Sequence, residues 1–506
     1  MARPAWPGRA DLPRETETRL SVDTTVTPPE IDTLIGPVLE RHRPDTSDGT
    51  FPVLDPSTGE PLAEITRVAP AGVDRAIDRA AAALPDWSAT PPRARSEILA
   101  AAHALMLDEL EPLAHLMSLE MGKTRADARA EVRYAAEFFR WFAEEAVRIS
   151  GELRTAPGGA NRILTVHRPV GVALLLTPWN FPAAMATRKL APALAAGCTA
   201  LLKPAEDTPL TALYLADLLA RAGLPDGVVS VLTTDRPAEL VEHALADPRI
   251  RKLSFTGSTG VGRTLLRQAA ERIVNTSLEL GGNAPFVVLD DADLDAAVEG
   301  AMFAKMRNGG QACTAANRFL VHEAVADDFA ARLAARMADL VVGPGTDEAT
   351  QLGPMVNARR QADVAGRVDA AVAQGARVHT GGAPLERPGF FYPATVLSGV
   401  DRAGVLSVDE TFGPVAPIIE IADDADAVAL ANTTEYGLAA YVYAADLGRA
   451  LGVAEQLQAG MVGVNRGAVS DPAAPFGGMK QSGLGREGGF EGIHEYLEVS
   501  YLAVDW

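Results

Sequence analysis

Between residues 165 and 290, short runs that are apolar at every position alternate with stretches whose apolar residues recur every three to four positions. The runs are "VGVALLLTP", "CTALLKP", "GVVSVLTT", "RKLSFTGS" and "NTSLELGG", and one intervening stretch is "PLTALYLADLLARAGL". Uninterrupted apolar strands separated by amphipathic helices predict a parallel sheet covered on both faces, and ligands of such sheets bind beyond the carboxyl ends of the strands. A second α/β pattern runs from about 284 to 480, with strands expected at "APFVVLD", "RFLVHE", "VAPIIEI", "AAYVYA" and "GMVGVN". Residues 71–150 carry a helical period, and "FPVLDPSTGEPLAEI" (51–65) predicts a hairpin turning at Asp-Pro-Ser-Thr-Gly. Residues 1–50 read as an extension with a lead-in helix. The C-terminal "EYLEVSYLAVDW" alternates like a strand with no helix after it, which suggests pairing with another subunit.

Composition changes this picture little. The formal charge of −20 argues against nucleic acid or an anionic membrane as a partner, and no apolar run has the length to span a bilayer. The first residues have no apolar segment of the secretory type, and two distant cysteines, Cys198 and Cys313, make no disulfide framework. A cytoplasmic location is therefore expected. Of the 46 basic residues only 6 are lysine. Genome composition is the plain explanation, but in a chain that writes arginine by default a surviving lysine hints that guanidinium would not serve there.

The chemistry gathers where the strands end. "LSFTGSTGVGRTLL" (253–266) places Gly257, Gly260 and Gly262 between a strand and a helix, where free backbone N–H groups could meet a pyrophosphate; a plain strand-to-helix turn reads equally well. In "LLKPAEDTP", Glu206 and Lys203 could hold an adenosine ribose, and Glu206 would then disfavour a 2′-phosphate, so NAD is preferred to NADP; a solvated loop is the alternative. Asn180 in "TPWNFP" is an oxyanion donor stiffened by two prolines, or a turn residue. Glu279 in "SLELGGNAPF" is a buried general base, or a strand glutamate satisfied by backbone amides. Cys313 in "RNGGQACTAANR" is a nucleophile, or a small buried hydrophobe as Cys198 is read to be. No metal site is read.

Seven motifs in order, "TPWNFP", "KPAEDTP", "FTGSTGVG", "LELGGNAPF", "GQAC", "DETFGP" and "PFGGMKQSGLGRE", resemble those of the aldehyde dehydrogenase superfamily from about residue 51 onward. The resemblance implies an α/β fold in three parts. These are a Rossmann-type dinucleotide-binding domain (51–150 and 169–280), an α/β catalytic domain (281–490) and a β oligomerisation element (151–168 and 491–506), after the extension 1–50. It implies Cys313 as the nucleophile, Asn180 with the Cys313 N–H as the oxyanion hole, Glu279 as the hydrolytic base, and Lys189 with Glu487 as a proton relay. Thr177, Trp179, Lys203, Glu206, Gly257, Ser258, Leu280, Glu410 and Phe412 fall on cofactor positions. The presence of Glu279 favours hydrolysis over acyl transfer to coenzyme A.

Among branches of the superfamily the chain is most similar to succinate-semialdehyde dehydrogenases, in which two arginines and a serine hold a distal carboxylate. The matching positions are Arg188, Arg307 and Ser470, implying a small anionic aldehyde substrate and a homodimer or homotetramer. A protein of charge −20 needs such a local cationic clamp. Ala312 replaces the common threonine, Ala315 replaces the second cysteine of many relatives, and 466–474 differ around Ser470. Glutarate semialdehyde or a broader aldehyde range therefore stays open as an alternative, with a non-catalytic protein on the same fold the remote one.

Overall fold

The computed structural model describes residues 31–44 and 46–505. The lead-in helix is Ile31–Arg41, and the predicted hairpin forms from Ser47–Leu54 and Pro61–Val68, its turn closed by the Gly59 N–H donating to the Asp55 carbonyl at 2.7 Å. The rest of the extension, residues 1–30, lies outside the described residues. Four helices follow, Pro70–Ala89, Pro92–Asp108, Leu110–Met121 and Arg125–Ala146. No helix among the described residues is long and apolar enough to cross a membrane.

The five apolar runs form five parallel strands, in the spatial order Asn275–Glu279, Ile250–Thr256, Val172–Leu176, Thr199–Lys203, Val229–Val231. The chain starts in the middle, builds one flank, then crosses back to build the other. The crossing leaves a switch point between Val172–Leu176 and Ile250–Thr256, where the loops at the strand ends part and leave a crevice. A two-residue strand, Gly483–Leu484, adds antiparallel to the edge beside Glu279, a pairing that no local pattern announces.

The second sheet has seven strands, ordered Arg377–Thr380, Thr395–Ser398, Val415–Ile421, Ala316–His322, Ala284–Val288, Ala439–Tyr443, Met461–Val464. Its five interior and far-side strands are those expected. The two at the other end, Thr395–Ser398 and the antiparallel edge strand Arg377–Thr380, are not announced by the sequence pattern, because strands of four residues lack a long apolar run and the edge strand is also partly exposed. The C-terminal strand Leu497–Val504 pairs along its whole length with Arg162–Pro169, which also pairs with Leu153–Thr155. Thus this strand is covered on one edge by its own chain, while Val499, Tyr501 and Leu502 stay exposed on its surface.

One helix lies wholly inside the protein. Pro182–Ala196, "PAAMATRKLAPALAA", is buried at every one of its 15 positions, because it packs between the helix Arg125–Ala146 and the first sheet. A helix surrounded on all sides should be apolar all round, so the two cations it carries, Arg188 and Lys189, need partners inside the protein.

Candidate active site

A cavity of about 380 Å³ opens at the switch point and is lined by residues following three strand ends, together with Cys313, Glu410 and Phe412. Trp179, Asn180, Gly257, Ser258, Leu280, Glu410 and Phe412, expected at the site from sequence, all border it. Trp179 and Phe412 meet edge to face, with ring centroids 5.4 Å apart. Glu410 Oε1 accepts the Gly282 N–H at 3.0 Å, and a Cβ on Gly281 would stand 2.8 Å from Glu410 Oε2, so a side chain there would displace that carboxylate. Burial pushes the Glu410 carboxyl up to about 7 against the opposing pull of the Gly282 N–H and of Arg360.

The strand-to-helix loop departs from the sequence expectation at Gly257. Its N–H donates to the Glu279 carbonyl at 3.0 Å, so it is not free for a phosphate. The reason is the parallel register of the two strands, which continues one residue past Thr256. Gly262 has a packing role: a Cβ there would come 2.5 Å from Leu280. Thr177, Lys203 and Glu206 stand beside the cavity rather than in its wall. The Thr177 N–H donates to the Lys203 carbonyl at 3.1 Å, and Lys203 Nζ lies 3.6 Å from Glu206 Oε2. The cavity fits a dinucleotide: its size is that of a ligand site, and Thr256 Oγ1 and Arg360 Nε at its wall are buried without a protein partner.

Cys313 follows a tight turn, Arg307–Gly310, in which Asn308 and Gly309 adopt left-handed backbone (φ 55° and 60°). Gly310 is also left-handed, and a Cβ on it would lie 2.1 Å from the Gly413 carbonyl oxygen. These glycines therefore serve a turn pressed against the next loop rather than flexibility. The turn and the Asn180 loop are tied together. Asn308 Nδ2 donates to the Asn180 carbonyl at 2.8 Å and to the Gln311 carbonyl at 3.0 Å, and Lys123 Nζ donates to the Asn180 carbonyl at 2.8 Å. Lys123 pairs with buried Glu131, whose Oε1 accepts the N–H groups of Ala183 and Ala184 at the start of the buried helix. Asn180 Nδ2 then reaches the Gln311 carbonyl at 3.2 Å, while the Cys313 N–H meets no acceptor among the described residues. Burial pushes the Cys313 thiol up to about 11, opposed chiefly by Arg188, so at neutral pH sulfur is protonated and needs a base.

Glu279 ends its strand fully enclosed, with Oε2 unpartnered. Backbone amides do not satisfy this side chain, which removes the alternative reading. A Cβ on Gly477 would sit 2.9 Å from Glu279 Oε1. Desolvation raises its pKa well above the usual carboxylate range and nearby Glu487 adds to this, while Lys189, Arg188 and Arg486 oppose. Lys189 Nζ contacts Glu487 Oε1 at 2.5 Å and donates to Ser254 Oγ at 2.9 Å. Arg188 faces the same carboxylate, Nη1 to Glu487 Oε2 at 3.6 Å, with Nη2 donating to the Tyr134 hydroxyl at 2.5 Å and its guanidinium 4.0 Å from the Phe476 ring centre.

Arg307 and Ser470 share a narrow pocket with Phe303, Ala312, Thr314 and Tyr441. Arg307 stacks 4.9 Å from the Phe181 ring centre and has no ion pair among the described residues. Arg188 does not border that pocket; it stands deeper, with the Lys189–Glu487 pair. Sequence reasoning did not find the Lys123–Glu131–Asn308 strut, Lys305 or Arg360. One signal did point that way: five of the six lysines, Lys123, Lys189, Lys203, Lys252 and Lys305, are buried, and only Lys480 is exposed.

The aldehyde dehydrogenase family model matches residues 42–502. A succinate-semialdehyde dehydrogenase of Paenarthrobacter nicotinovorans is 55% identical over 429 residues, covering 85% of this chain and 95% of that protein. A glutarate-semialdehyde dehydrogenase of Pseudomonas aeruginosa is 48% identical, covering 91% of this chain and 95% of that protein. The crystal structure of an E. coli NADP dependent enzyme superposes with a TM-score of 0.89 at 47% identity, covering 90% of this chain and 95% of that one.

Proposed function

The chain belongs to the aldehyde dehydrogenase family, and from that premise we propose that it oxidises succinate semialdehyde to succinate with NAD, through a thioester on Cys313. The observation that carries this reading is a cavity bordered by a thiol with an unused backbone N–H and by the Asn180 amide, with an unpaired buried carboxyl oxygen of Glu279, next to Leu280 of the cavity wall, near enough to act on that thiol.

Arg307 and Ser470 hold the distal carboxylate of the aldehyde, the guanidinium supplying the local cation that the overall charge of −20 demands. Glu279 takes the thiol proton, and Cys313 sulfur attacks the carbonyl carbon to give a thiohemiacetal. The Cys313 N–H and Asn180 Nδ2 receive the developing oxyanion. The family uses NAD or NADP as hydride acceptor, and Glu206 beside Lys203 supports NAD here, because a 2′-phosphate would meet a carboxylate. Once the hydride has left the thiohemiacetal carbon for that acceptor, giving the thioester, and Glu279 has passed its proton toward the Lys189–Glu487 pair, Glu279 activates the water that hydrolyses the thioester. The Lys189–Glu487 pair receives the proton released, and Arg188 holds Glu487 in place. In this reading the first sheet and its helices are the dinucleotide-binding domain, the second sheet carries the catalytic residues, and the three-stranded sheet of residues 151–168 and 491–506 serves a homo-oligomer.

A second reading is favoured by Ala312, which borders the Arg307 pocket with only a methyl group where threonine is common among similar sequences. Glutarate semialdehyde is then the better substrate. Steady-state rates with four-carbon, five-carbon and uncharged aldehydes, each with NAD and NADP, test both. The expected result is highest kcat/KM with succinate semialdehyde and NAD; equal use of uncharged aldehydes, or a preference for NADP, contradicts the reading.

A further inference from the structure

Two arginines of the helix Ala358–Ala373, on the side of the second sheet, border the cavity. Arg367 is neutralised, with Nε 3.3 Å from Asp363 Oδ2 and Nη1 3.2 Å from Asp409 Oδ2. Arg360 is not. Its guanidinium has no ion pair and no hydrogen bond among the described residues, and its Nε is buried. Only its backbone N–H is used, donating to Asn357 Oδ1 at 3.0 Å. Asn357 Nδ2 in turn donates to Asp207 Oδ1 at 3.2 Å, which fixes the helix start to the loop carrying Glu206. In a chain of net charge −20, a guanidinium half withdrawn from water with no carboxylate in ion-pair contact keeps its donors available for an anionic ligand.

Its position says what would compensate it. Arg360 is close enough to stabilise the ionised form of two carboxyls, Asp207 and Glu410. In the dinucleotide reading Asp207 adjoins Glu206, at the adenosine-ribose end of the site, while Glu410 borders the cavity near enough to Cys313 to act on its thiol, which marks the end where the nicotinamide would react. Between the two riboses of a dinucleotide lies its pyrophosphate. The loop that sequence suggested for this anion has already used the Gly257 N–H on the Glu279 carbonyl, so one expected donor is missing.

We infer that Arg360 grips the cofactor pyrophosphate from the second-sheet side of the cavity. This rests on the dinucleotide reading above and adds to it a binding residue that closes the site across both sheets. Guanidinium matches phosphate oxygens in a planar, charge-assisted contact, and the helix Ala358–Ala373, tethered at Asn357, places it rigidly.

The test is equilibrium binding, independent of turnover. NADH fluorescence titrations, with competition by ADP and by adenosine, are run on the wild type, Arg360→Gln and Arg360→Lys at low and high salt. Arg360→Gln is expected to weaken NADH and ADP about tenfold, to leave adenosine unchanged and to flatten the salt dependence of ADP binding. Arg360→Lys should recover part of the loss. Unchanged NADH and ADP affinity in Arg360→Gln, or an equal loss for adenosine, overturns the assignment. A wild-type protein that binds neither NADH nor ADP overturns the dinucleotide reading and this one with it.

Discussion

Cys198 and Cys313 occupy regions that act on a thiol in the same direction and differ in everything else. Burial pushes both up to about 11. Cys198 opens the strand Thr199–Lys203 with no exposure at all, and its Sγ donates to the Tyr496 carbonyl at 3.4 Å inside a wall of alanine and leucine. Cys313 is only partly covered, borders the cavity, and has Arg188, Glu279 and Glu410 near enough to shift it. A raised pKa thus does not mark a nucleophile here. Access and an empty N–H set Cys313 apart, and in the proposed reaction these decide whether a thiolate formed for an instant finds a carbonyl carbon and a place for the oxyanion.

The widest separation between the two comes from removing sulfur. Cys313→Ala should abolish NADH formation while leaving NADH binding intact; any turnover above the uncatalysed rate breaks the assignment. Next in size, Glu279→Gln should still release a stoichiometric burst of NADH at reduced rate, then turn over at least about 100-fold more slowly, since the base acts in hydrolysis too. A linear progress curve at normal rate in a stopped-flow trace contradicts this. Arg307→Leu should cut kcat/KM for succinate semialdehyde about 10- to 100-fold through lost charge-assisted contacts, with little effect on an uncharged aldehyde; equal effects on both dismiss the clamp.

The pH profile is a smaller effect with a definite sign. Cys313 and Glu279 are acids whose proton-bound forms are favoured by burial, and both act after losing a proton. The acylation rate should therefore rise with pH, by about tenfold between about pH 6 and 8. A rate falling over that window is incompatible with it. Smallest of all, Cys198→Ala should keep kcat within about twofold and lower stability by about 1 kcal/mol from lost packing, measured by denaturant titration. A large loss of activity there would mean the two regions are coupled.

Much of this was legible beforehand because both sheets are mostly parallel. Strands buried on two faces must be apolar throughout, so the runs around Leu174, Leu201 and Val287 announce themselves. Arg377–Thr380, with exposed positions and four residues, does not. Cys313 stands out as a thiol after a Gly-Gly pair, Glu279 as a lone carboxylate in an apolar strand and Asn180 as an amide between two prolines. Lys123 does not, since its partners Glu131, 8 residues away, and Asn180, 57 residues away, meet it only after the helices pack. The hint from scarce lysine was sound for that residue, while scarcity alone could not say what each lysine touches.

What the sequence determined by itself is the α/β class, most of the strands, and the residues proposed to react and to supply a local cation for the substrate, because periodicity and residue type are local properties. The tertiary structure alone decided which donors remain free. It committed the Gly257 N–H to Glu279, turned Arg188 toward Glu487, and left Arg307 and Arg360 without an ion pair among the described residues. Hydrogen-bond and charge satisfaction depends on groups distant in the chain, and only the packed fold brings them within reach of one another.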